Sequence, residues 1–337
     1  MRRPLLLLPP ALFAAWTCQA AAPSHVPLSG VNIAGGEFNS GRKPGVYGKD
    51  YIYPDNRIAR PFIEQGMAVV RVPVLWERLQ PIPEQPLSTL EMRRLDKSFE
   101  ALAGFRYIII DIHNYGKLQG RRLDQIDKGK DYLADLWSRL AAKYKDDPRI
   151  VFGLMNEPNG ISAADWRAIA EHSTQAIRKT GARNLILVPG TNWSGAHSWT
   201  SGGERSNAAA FRNFKDPARN FAFEMHQYLD ADSAGMKMNC QAPETVQPRM
   251  AAATRWLRDN GYRGFLGEFG AAPDDNCLKS LAALLDHMRS NADVWMGWTY
   301  WAAGGWWGRY PFSIQPLNGE TPPQTTILAR YSRRGDK

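Results

Sequence analysis

From Gly30 onward, short apolar runs alternate with segments in which apolar residues recur every three or four positions. Apolar runs of this length are typical of strands buried on both faces, which are characteristic of parallel sheets. We predict eight strands, at residues 30–34, 67–73, 107–113, 150–156, 185–189, 221–228, 264–268 and 294–301.

The segments between these runs have the spacing of amphipathic helices. An example is the segment between the third and fourth runs, with Leu133, Leu136, Trp137, Leu140 and Tyr144 on one face. Two connections fit less well. Pro61 is expected to interrupt the first helix, because an internal proline removes a backbone hydrogen bond. The segment after the fifth run is rich in Gly and Ser and shows little helical period.

Eight strand–helix alternations predict a single (β/α)8 TIM barrel, in which the helices surround a closed parallel sheet. The alternative is a doubly wound open sheet. That fold is disfavoured because no glycine-rich phosphate loop follows the first strand. Gly35 and Gly36 form a lone pair, and Glu37 behind them would repel a phosphate.

Residues 1–22 have the pattern of a secretory signal peptide: Arg2 and Arg3, then an apolar stretch, then small residues near the cleavage site. The stretch is short for a membrane anchor and contains Pro9 and Pro10. We therefore expect one catalytic domain at residues 23–337 that is secreted or periplasmic, with no membrane association after signal removal.

The exported chain would keep two cysteines, Cys240 and Cys277. An even number of cysteines in an exported protein favours a disulfide, and two free thiols are the alternative. The formal net charge is +9, but basic residues are mixed with acidic ones and form no run. We interpret this charge as a solvated surface and expect no nucleic-acid partner.

The chemically informative residues collect where the predicted strands end. The fourth run stops at Asn156, Glu157 and Pro158, because proline cannot continue the strand ladder. A carboxylate at the end of a buried strand must be paired or used. The other strand ends supply Arg71, Asp111, His113, Asn114, Tyr115, His226, Tyr228, Glu268, Trp298, Tyr300 and Trp301. In a barrel these ends meet at one mouth, where active sites lie.

Glu157 and Glu268 would face each other across that mouth, an arrangement that suits hydrolysis of a glycosidic bond. One carboxyl group must keep its proton while the other is ionised, so their surroundings must differ. Arg71 and the Tyr228 hydroxyl would favour the ionised form of the nearer carboxylate. The residues alone leave open which glutamate that is.

Two further groups of residues have more than one interpretation. His113, His226 and Glu268 could bind a metal, although they lack local ligand spacing. In the loops after the fifth and eighth strands, we predict that four tryptophans stack on glucose rings, with packing at the barrel rim as the alternative: Trp193, Trp199, Trp306 and Trp307.

The motifs at 156–158 and 267–270 resemble those of glycoside hydrolase family five, the old cellulase family A. The resemblance extends from about residue 30 to about residue 307. Segments 30–38, 111–116 and 301–307 are most similar to the endo-1,4-β-glucanases of that family.

The resemblance implies a retaining double displacement with Glu157 as the general acid/base and Glu268 as the nucleophile. Asn156 would bind the sugar 2-hydroxyl, and Trp301 would form the floor of the cleavage subsite. The implied supporting residues are Arg71 and Tyr228, which would orient the nucleophile, together with His113, Asn114 and His226. Because the family uses no metal, we expect no cofactor.

We therefore expect a secreted, monomeric endo-1,4-β-glucanase that acts on β-1,4-glucan or cello-oligosaccharides. The alternatives are a β-mannanase or mixed-linkage β-glucanase on the same scaffold, and a polysaccharide-binding barrel without catalysis.

Overall fold

The structure is a computed structural model that describes residues 26–332. The predicted signal peptide lies outside the described residues. Within residues 26–332, no helix combines the length and the apolar character needed to cross a membrane.

Parallel strands form the interior of the predicted barrel. They are β1 (Gly30–Ile33), β2 (Val69–Val74), β3 (Tyr107–Ile112), β4 (Ile150–Gly153), β5 (Ile186–Pro189), β6 (Phe221–His226), β7 (Gly264–Glu268), β8 (Trp295–Trp298) and β9 (Tyr300–Ala303). Each strand pairs with its neighbour in sequence from β1 to β8, and β9 pairs with β1 to close the ring. The predicted (β/α)8 architecture is confirmed.

Helices cover the outside of the barrel. They are α1 (Asn56–Glu64), α2 (Trp76–Leu79), α3 (Thr89–Ala101), α4 (Gly129–Tyr144), α5 (Ala163–Lys179), α6 (Asn207–Phe211), α7 (Pro243–Asp259), α8 (Asp275–Ser290) and α9 (Gln324–Ala329). A small hairpin of Lys117–Leu118 with Arg121–Arg122 follows β3. The segment after β5 holds only the short α6 and two 3₁₀ turns, in line with its weak helical period.

Several predicted strand ends differ from the structure by one or two residues, such as that of the sixth strand, which ends at His226 rather than Tyr228. Three larger differences concern the eighth run, the fourth strand and the first helix. The eighth run divides at Thr299, whose backbone N–H donates to Leu266, so that β8 pairs with β7 and β9 with β1. The fourth strand ends at Gly153 rather than Asn156. Pro61 lies inside a continuous α1, so the predicted interruption is wrong. The buried face of α1, with Ile58 and Phe62, holds this helix against the barrel.

Layers of side chains fill the barrel. The layer at the amino-terminal ends of the strands is apolar and consists of Val69, Ile109, Val151, Leu187, Ala222 and Phe265. Because side chains alternate along a strand, the residues two positions further on share the same face. They include three fully buried charged residues, Arg71, Asp111 and Glu224. The apolar layer thus forms a base on which a charged layer rests.

The predicted disulfide is present and joins Cys240 to Cys277. It links the loop after β6 to the first turn of α8. Within that loop, the Asp230 carboxylate accepts hydrogen bonds from the backbone N–H groups of Gly235, Met236 and Lys237. Asp230 therefore holds residues 235–237 in the middle of the loop, and the disulfide holds the loop at Cys240.

Candidate active site

Glu157 follows β4 on a segment that turns away from the sheet. The backbone N–H of Asn156 still donates to Ile112 O at 2.7 Å, and Glu157 then adopts the left-handed region with φ 42°. For a residue with a Cβ this conformation is strained, and such strain is concentrated at functional sites. The turn directs the Glu157 carboxylate to His226, whose Nδ1 lies 2.8 Å from Glu157 Oε1.

Glu268 is the last residue of β7 and is almost completely buried. Arg71 Nη1 donates to its Oε1 and the Tyr228 hydroxyl donates to its Oε2, both at 2.8 Å. Burial raises the pKa of Glu268, and the charge of Glu157 adds to the rise, while His226 and Arg71 oppose it. Arg71 and Tyr228 thus bind Glu268, so Glu268 is the carboxylate nearer to them, although burial leaves its pKa raised overall.

The two glutamates are close together. One carboxylate oxygen of each and a ring nitrogen of His226 all lie within 4.8 Å of one another. Retaining glycosidases have carboxyl groups about 5–5.5 Å apart, whereas inverting enzymes need a wider gap for a water molecule. The separation therefore matches direct attack by a carboxylate.

Arg71 is the centre of the charged layer. Its guanidinium contacts Asp111 Oδ1 at 3.1 Å, Glu224 Oε1 at 2.9 Å and Glu268 Oε1 at 2.8 Å. It also donates to Asn32 Oδ1 at 3.0 Å and to Asn156 Oδ1 at 2.8 Å. Burial alone would lower the pKa of Arg71, but the three carboxylates raise it. Arg71 is therefore a permanent cation that orients the groups around it.

Each of the two predicted histidines contacts a carboxylate that also contacts Arg71: Asp111 for His113 and Glu224 for His226. His226 is buried, which lowers its pKa, but Glu268, Glu157 and Glu224 raise that pKa to about 10. His113 Nδ1 lies 2.7 Å from Asp111, which raises the pKa of His113 against the effect of burial. Both rings are thus oriented by carboxylates.

A cleft of about 730 Å³ opens above Glu157 and Glu268. Its aromatic lining consists of Tyr115, Trp193, Tyr228, Trp301, Trp307 and Tyr310. The Trp301 ring is stacked on His113 with the ring centroids 5.5 Å apart, and Trp307 is stacked on Tyr310 at 4.6 Å. Aromatic faces of this kind suit the apolar faces of sugar rings.

Trp193 is the most exposed of these aromatic residues, with 54% of its surface accessible. It lies in a run of three left-handed residues, Asn192, Trp193 and Ser194, with φ values of 53°, 54° and 55°. Three consecutive strained residues need support from their surroundings. The Ser194 hydroxyl donates to Glu224 O and accepts from Gly190 N, and these bonds hold the turn that presents Trp193 to the cleft.

Two of the four loop tryptophans do not line the cleft. Trp199 is completely buried and packs against Phe211, Phe223 and Trp256. The prediction that it stacks on glucose is wrong, because its loop folds back over the outside of the barrel. Trp306 is 39% exposed and lies outside the cleft lining. Trp193 and Trp307 remain candidates for sugar contacts.

Asn114 also differs from the other predicted site residues. Its side-chain amide donates to Glu77 Oε2 and accepts from the backbone N–H of Trp76, both at 2.8 Å. Both bonds tie the segment after β3 to α2, and none of the three residues is part of the cleft lining. Asn114 thus supports the loops and makes no direct contribution to the cleft.

Asn32 and Glu224 are buried parts of the site that the sequence reasoning missed. Each interrupts an apolar strand with a polar side chain, and Glu224 precedes His226 by two residues. The alternation of a strand places residues two apart on one face. The spacing of two residues between Glu224 and His226 could therefore have indicated that Glu224 faces the site.

The spacing of Glu157, His226 and Glu268 would also admit a small cation. The local charge disfavours a cation, because the Arg71 guanidinium contacts Glu268 and because the raised pKa of His226 favours its own cationic form. Of the three residues considered for a metal from the sequence, His113 is instead bound to Asp111. The arrangement favours proton transfer between carboxyl groups and substrate.

Comparison with known proteins gives consistent matches along the chain. A family model described as cellulase, glycosyl hydrolase family 5, matches residues 27–304. A probable endo-β-1,4-glucanase B of Neosartorya fischeri is 35% identical over 294 residues, which cover 86% of each protein.

Solved structures are similar over the same region. A complex of XacCel5A with cellopentaose has a TM-score of 0.89 and 49% identity, and the match covers 91% of this chain and 99% of that one. Endoglucanase Cel5A of Pseudomonas stutzeri in complex with cellobiose has a TM-score of 0.83 and 30% identity, with coverage of 91% and 92%.

Proposed function

The chain belongs to the cellulase family, glycosyl hydrolase family 5, and on that basis we propose that it is an exported endo-1,4-β-glucanase. It cleaves internal bonds of a β-1,4-glucan with retention of the anomeric configuration. The observation that carries the proposal is the pair of carboxylates, Glu157 and Glu268, within 4.8 Å of each other beneath an aromatic cleft.

The first half of the reaction forms a glycosyl–enzyme. Glu268 attacks the anomeric carbon while Glu157 gives its proton to the departing glycosidic oxygen. Arg71 and the Tyr228 hydroxyl each hold one oxygen of Glu268, so that its orientation is set before substrate binds. Such preorganisation reduces the entropy lost on reaching the transition state.

The second half releases the sugar. Glu157, now a carboxylate, takes a proton from water as the water oxygen bonds to the anomeric carbon and the bond to Glu268 breaks. Asn156 lies beside both catalytic groups, and its amide is oriented by Arg71 and His113. It would bind the sugar 2-hydroxyl, a contact that strengthens in the transition state.

The substrate assignment rests on the relatives and on the cleft. XacCel5A binds cellopentaose, which is a β-1,4-linked glucose oligomer. Both carboxylates and the whole aromatic lining come from one chain, so we expect a monomer to be competent. We propose export because residues 1–22 have the pattern of a signal peptide, and N-terminal sequencing of the mature protein would test it.

A β-mannanase or mixed-linkage glucanase would use the same carboxylates and differ only in details of the cleft. Parallel assays on carboxymethylcellulose, barley glucan and mannan separate these possibilities. A barrel that binds polysaccharide without catalysis is disfavoured, because both glutamates are present with their supporting residues.

The test is product analysis of cellopentaose hydrolysis by anomer-resolving NMR. We expect internal cleavage and initial release of the β-anomer, as retention requires. Initial release of the α-anomer would contradict the mechanism, and release of glucose alone from one end would contradict endo action.

A further inference from the structure

Glu224 is a fully buried carboxylate that the double displacement does not use. It lies outside the cleft lining, two residues before His226 on the same face of β6. Its Oε1 lies 2.9 Å from Arg71 Nε and 3.3 Å from His226 Nε2, while its Oε2 has no hydrogen-bond partner among the described residues. A buried charge with one unused oxygen is costly, so its retention calls for a role.

The strand that carries the nucleophile is shaped to accommodate Glu224. Gly267 precedes Glu268, and a Cβ at position 267 would lie 2.2 Å from Glu224 Oε1. Only glycine avoids this overlap. The Glu224 carboxylate therefore packs directly against the backbone of β7, and its position is tied to that of the nucleophile.

His226 lies between three carboxylates. Its Nδ1 is 2.8 Å from Glu157 Oε1 and 3.7 Å from Glu268 Oε2, and its Nε2 faces Glu224. The Glu224 and Glu268 carboxylates only accept hydrogen bonds, and Glu157 Oε1 also accepts when the proton of the general acid lies on its other oxygen. Both ring nitrogens are then satisfied when both carry a proton. Among the described residues, Arg71 and His113 also act on these carboxylates, and Arg71 contacts Glu224 and Glu268 rather than the His226 ring.

We propose that Glu224 is a positioning residue that holds His226 in its imidazolium form through both halves of the reaction. This inference rests on the proposed function and extends it. Glu268 is the strongest of the groups that favour protonated His226 in the free enzyme, followed by Glu157 and Glu224. Glu268 becomes a neutral ester in the glycosyl–enzyme, and its contribution is lost at that stage.

Glu224 keeps its charge at that stage because it forms no bond with the substrate. His226 then continues to donate its Nδ1 proton to Glu157, which holds this carboxylate in position to accept the proton of water. His226 itself gives up no proton in either half. Glu224 thus supplies the steady negative charge that the nucleophile cannot supply.

The first measurement uses the wild-type enzyme and needs no activity. Nitrogen NMR of the His226 ring is recorded over the pH range from 6.5 to about 10. The lower limit is the ordinary pKa of histidine, and the upper limit is the raised pKa of His226. We expect both ring nitrogens to stay protonated through neutral pH. Loss of either proton near pH 6.5 overturns the proposal, even if the enzyme proves to be an endoglucanase.

The second measurement uses Glu224→Gln, which removes the charge and nearly preserves the shape. An aryl cellobioside with a good leaving group makes release of the glycosyl–enzyme limiting. In Glu224→Gln the pKa of His226 should be lower than in the wild-type enzyme. As pH rises through this lower pKa, we expect kcat on the aryl cellobioside to fall about tenfold, which corresponds to one weakened hydrogen bond. An unchanged pH profile overturns the proposal.

Asp111→Asn is the matched control. Asp111 is equally buried and also contacts Arg71, but it faces His113 instead of His226. We expect His226 to titrate in Asp111→Asn as it does in the wild-type enzyme. Glu224→Asp keeps the negative charge, so we expect it to keep the wild-type titration that Glu224→Gln loses. An equal shift in Asp111→Asn would assign the effect to total buried charge and would contradict a specific role for Glu224.

Discussion

At the scale of single residues, the site is built around one buried cation, Arg71, and the carboxylates that contact it. Arg71 is completely buried, and three carboxylates contact it. Removing one partner from such a group leaves an uncompensated charge and costs about 3–5 kcal/mol. The same contacts orient Glu268, so stability and chemistry depend on the same contacts.

Glu157 and Glu268 should respond differently to the leaving group. In Glu157→Gln we expect kcat/KM on cellopentaose to fall about 10²–10⁴-fold, the usual contribution of a general acid. An aryl cellobioside with a good leaving group needs no acid in the first step, so its kcat/KM should be largely retained.

Glu268→Gln removes the nucleophile and should abolish turnover of both substrates. Steady-state kinetics on cellopentaose and the aryl glycoside provide the comparison. Equal losses on the two substrates in Glu157→Gln, or turnover in Glu268→Gln, would contradict the assigned roles.

At the scale of elements, the strands follow from the apolar pattern but their ends do not. All eight predicted runs contain a strand, because a fully buried strand must be apolar along its length. The fourth strand ends early because the chain must turn to bring Glu157 over the mouth. Such a turn depends on contacts with His226 and Ile112 on other strands, which local sequence cannot encode.

The loop after β5 contains two tryptophans, one exposed and one buried, although both have polar neighbours in the sequence. Trp193 is exposed in the cleft and Trp199 is buried in a cluster of aromatic residues. The fold of the loop decides between them, since both lie next to polar residues in the sequence.

Alanine substitutions at these two positions form a matched pair. Trp199→Ala should lower the free energy of unfolding by about 3–5 kcal/mol, because it leaves a cavity in the core. Trp193→Ala should change it by less than about 0.5 kcal/mol, as is usual for exposed positions.

Activity should show the reverse order. Loss of ring stacking in Trp193→Ala should raise KM for cellopentaose about threefold to tenfold. Urea unfolding of both variants measures the change in the free energy of unfolding, and steady-state kinetics measures the change in KM for cellopentaose. A Trp193→Ala variant that is strongly destabilised and keeps its KM would contradict the cleft assignment.

At the scale of the whole molecule, the disulfide restricts the unfolded chain. Cys240 and Cys277 are 37 positions apart, and a closed loop of that length lowers the conformational entropy of the unfolded state. We expect the Cys240→Ser/Cys277→Ser double variant to lose about 4 kcal/mol of unfolding free energy.

Urea unfolding of wild-type protein with and without reductant checks this value, and the double variant should be insensitive to reductant. The loop that the disulfide anchors also lines the cleft through Asp232, Ser233 and Met236. A melting temperature that reductant leaves unchanged would show that the bridge adds no stability.

The sequence by itself determined the barrel and the residues with which it performs chemistry. Burial on both faces requires continuous apolar strands, and the polar residues Arg71, Glu157, His226 and Glu268 stand out at the ends of those strands. Only the tertiary structure decided how these groups pair. Arg71 lies on Glu268 and not on Glu157, His226 is placed between Glu157 and Glu224, and Trp199 belongs to the core. The physical reason is that each of these outcomes depends on contacts between strands that lie tens to hundreds of residues apart, and closure of the barrel brings those strands together.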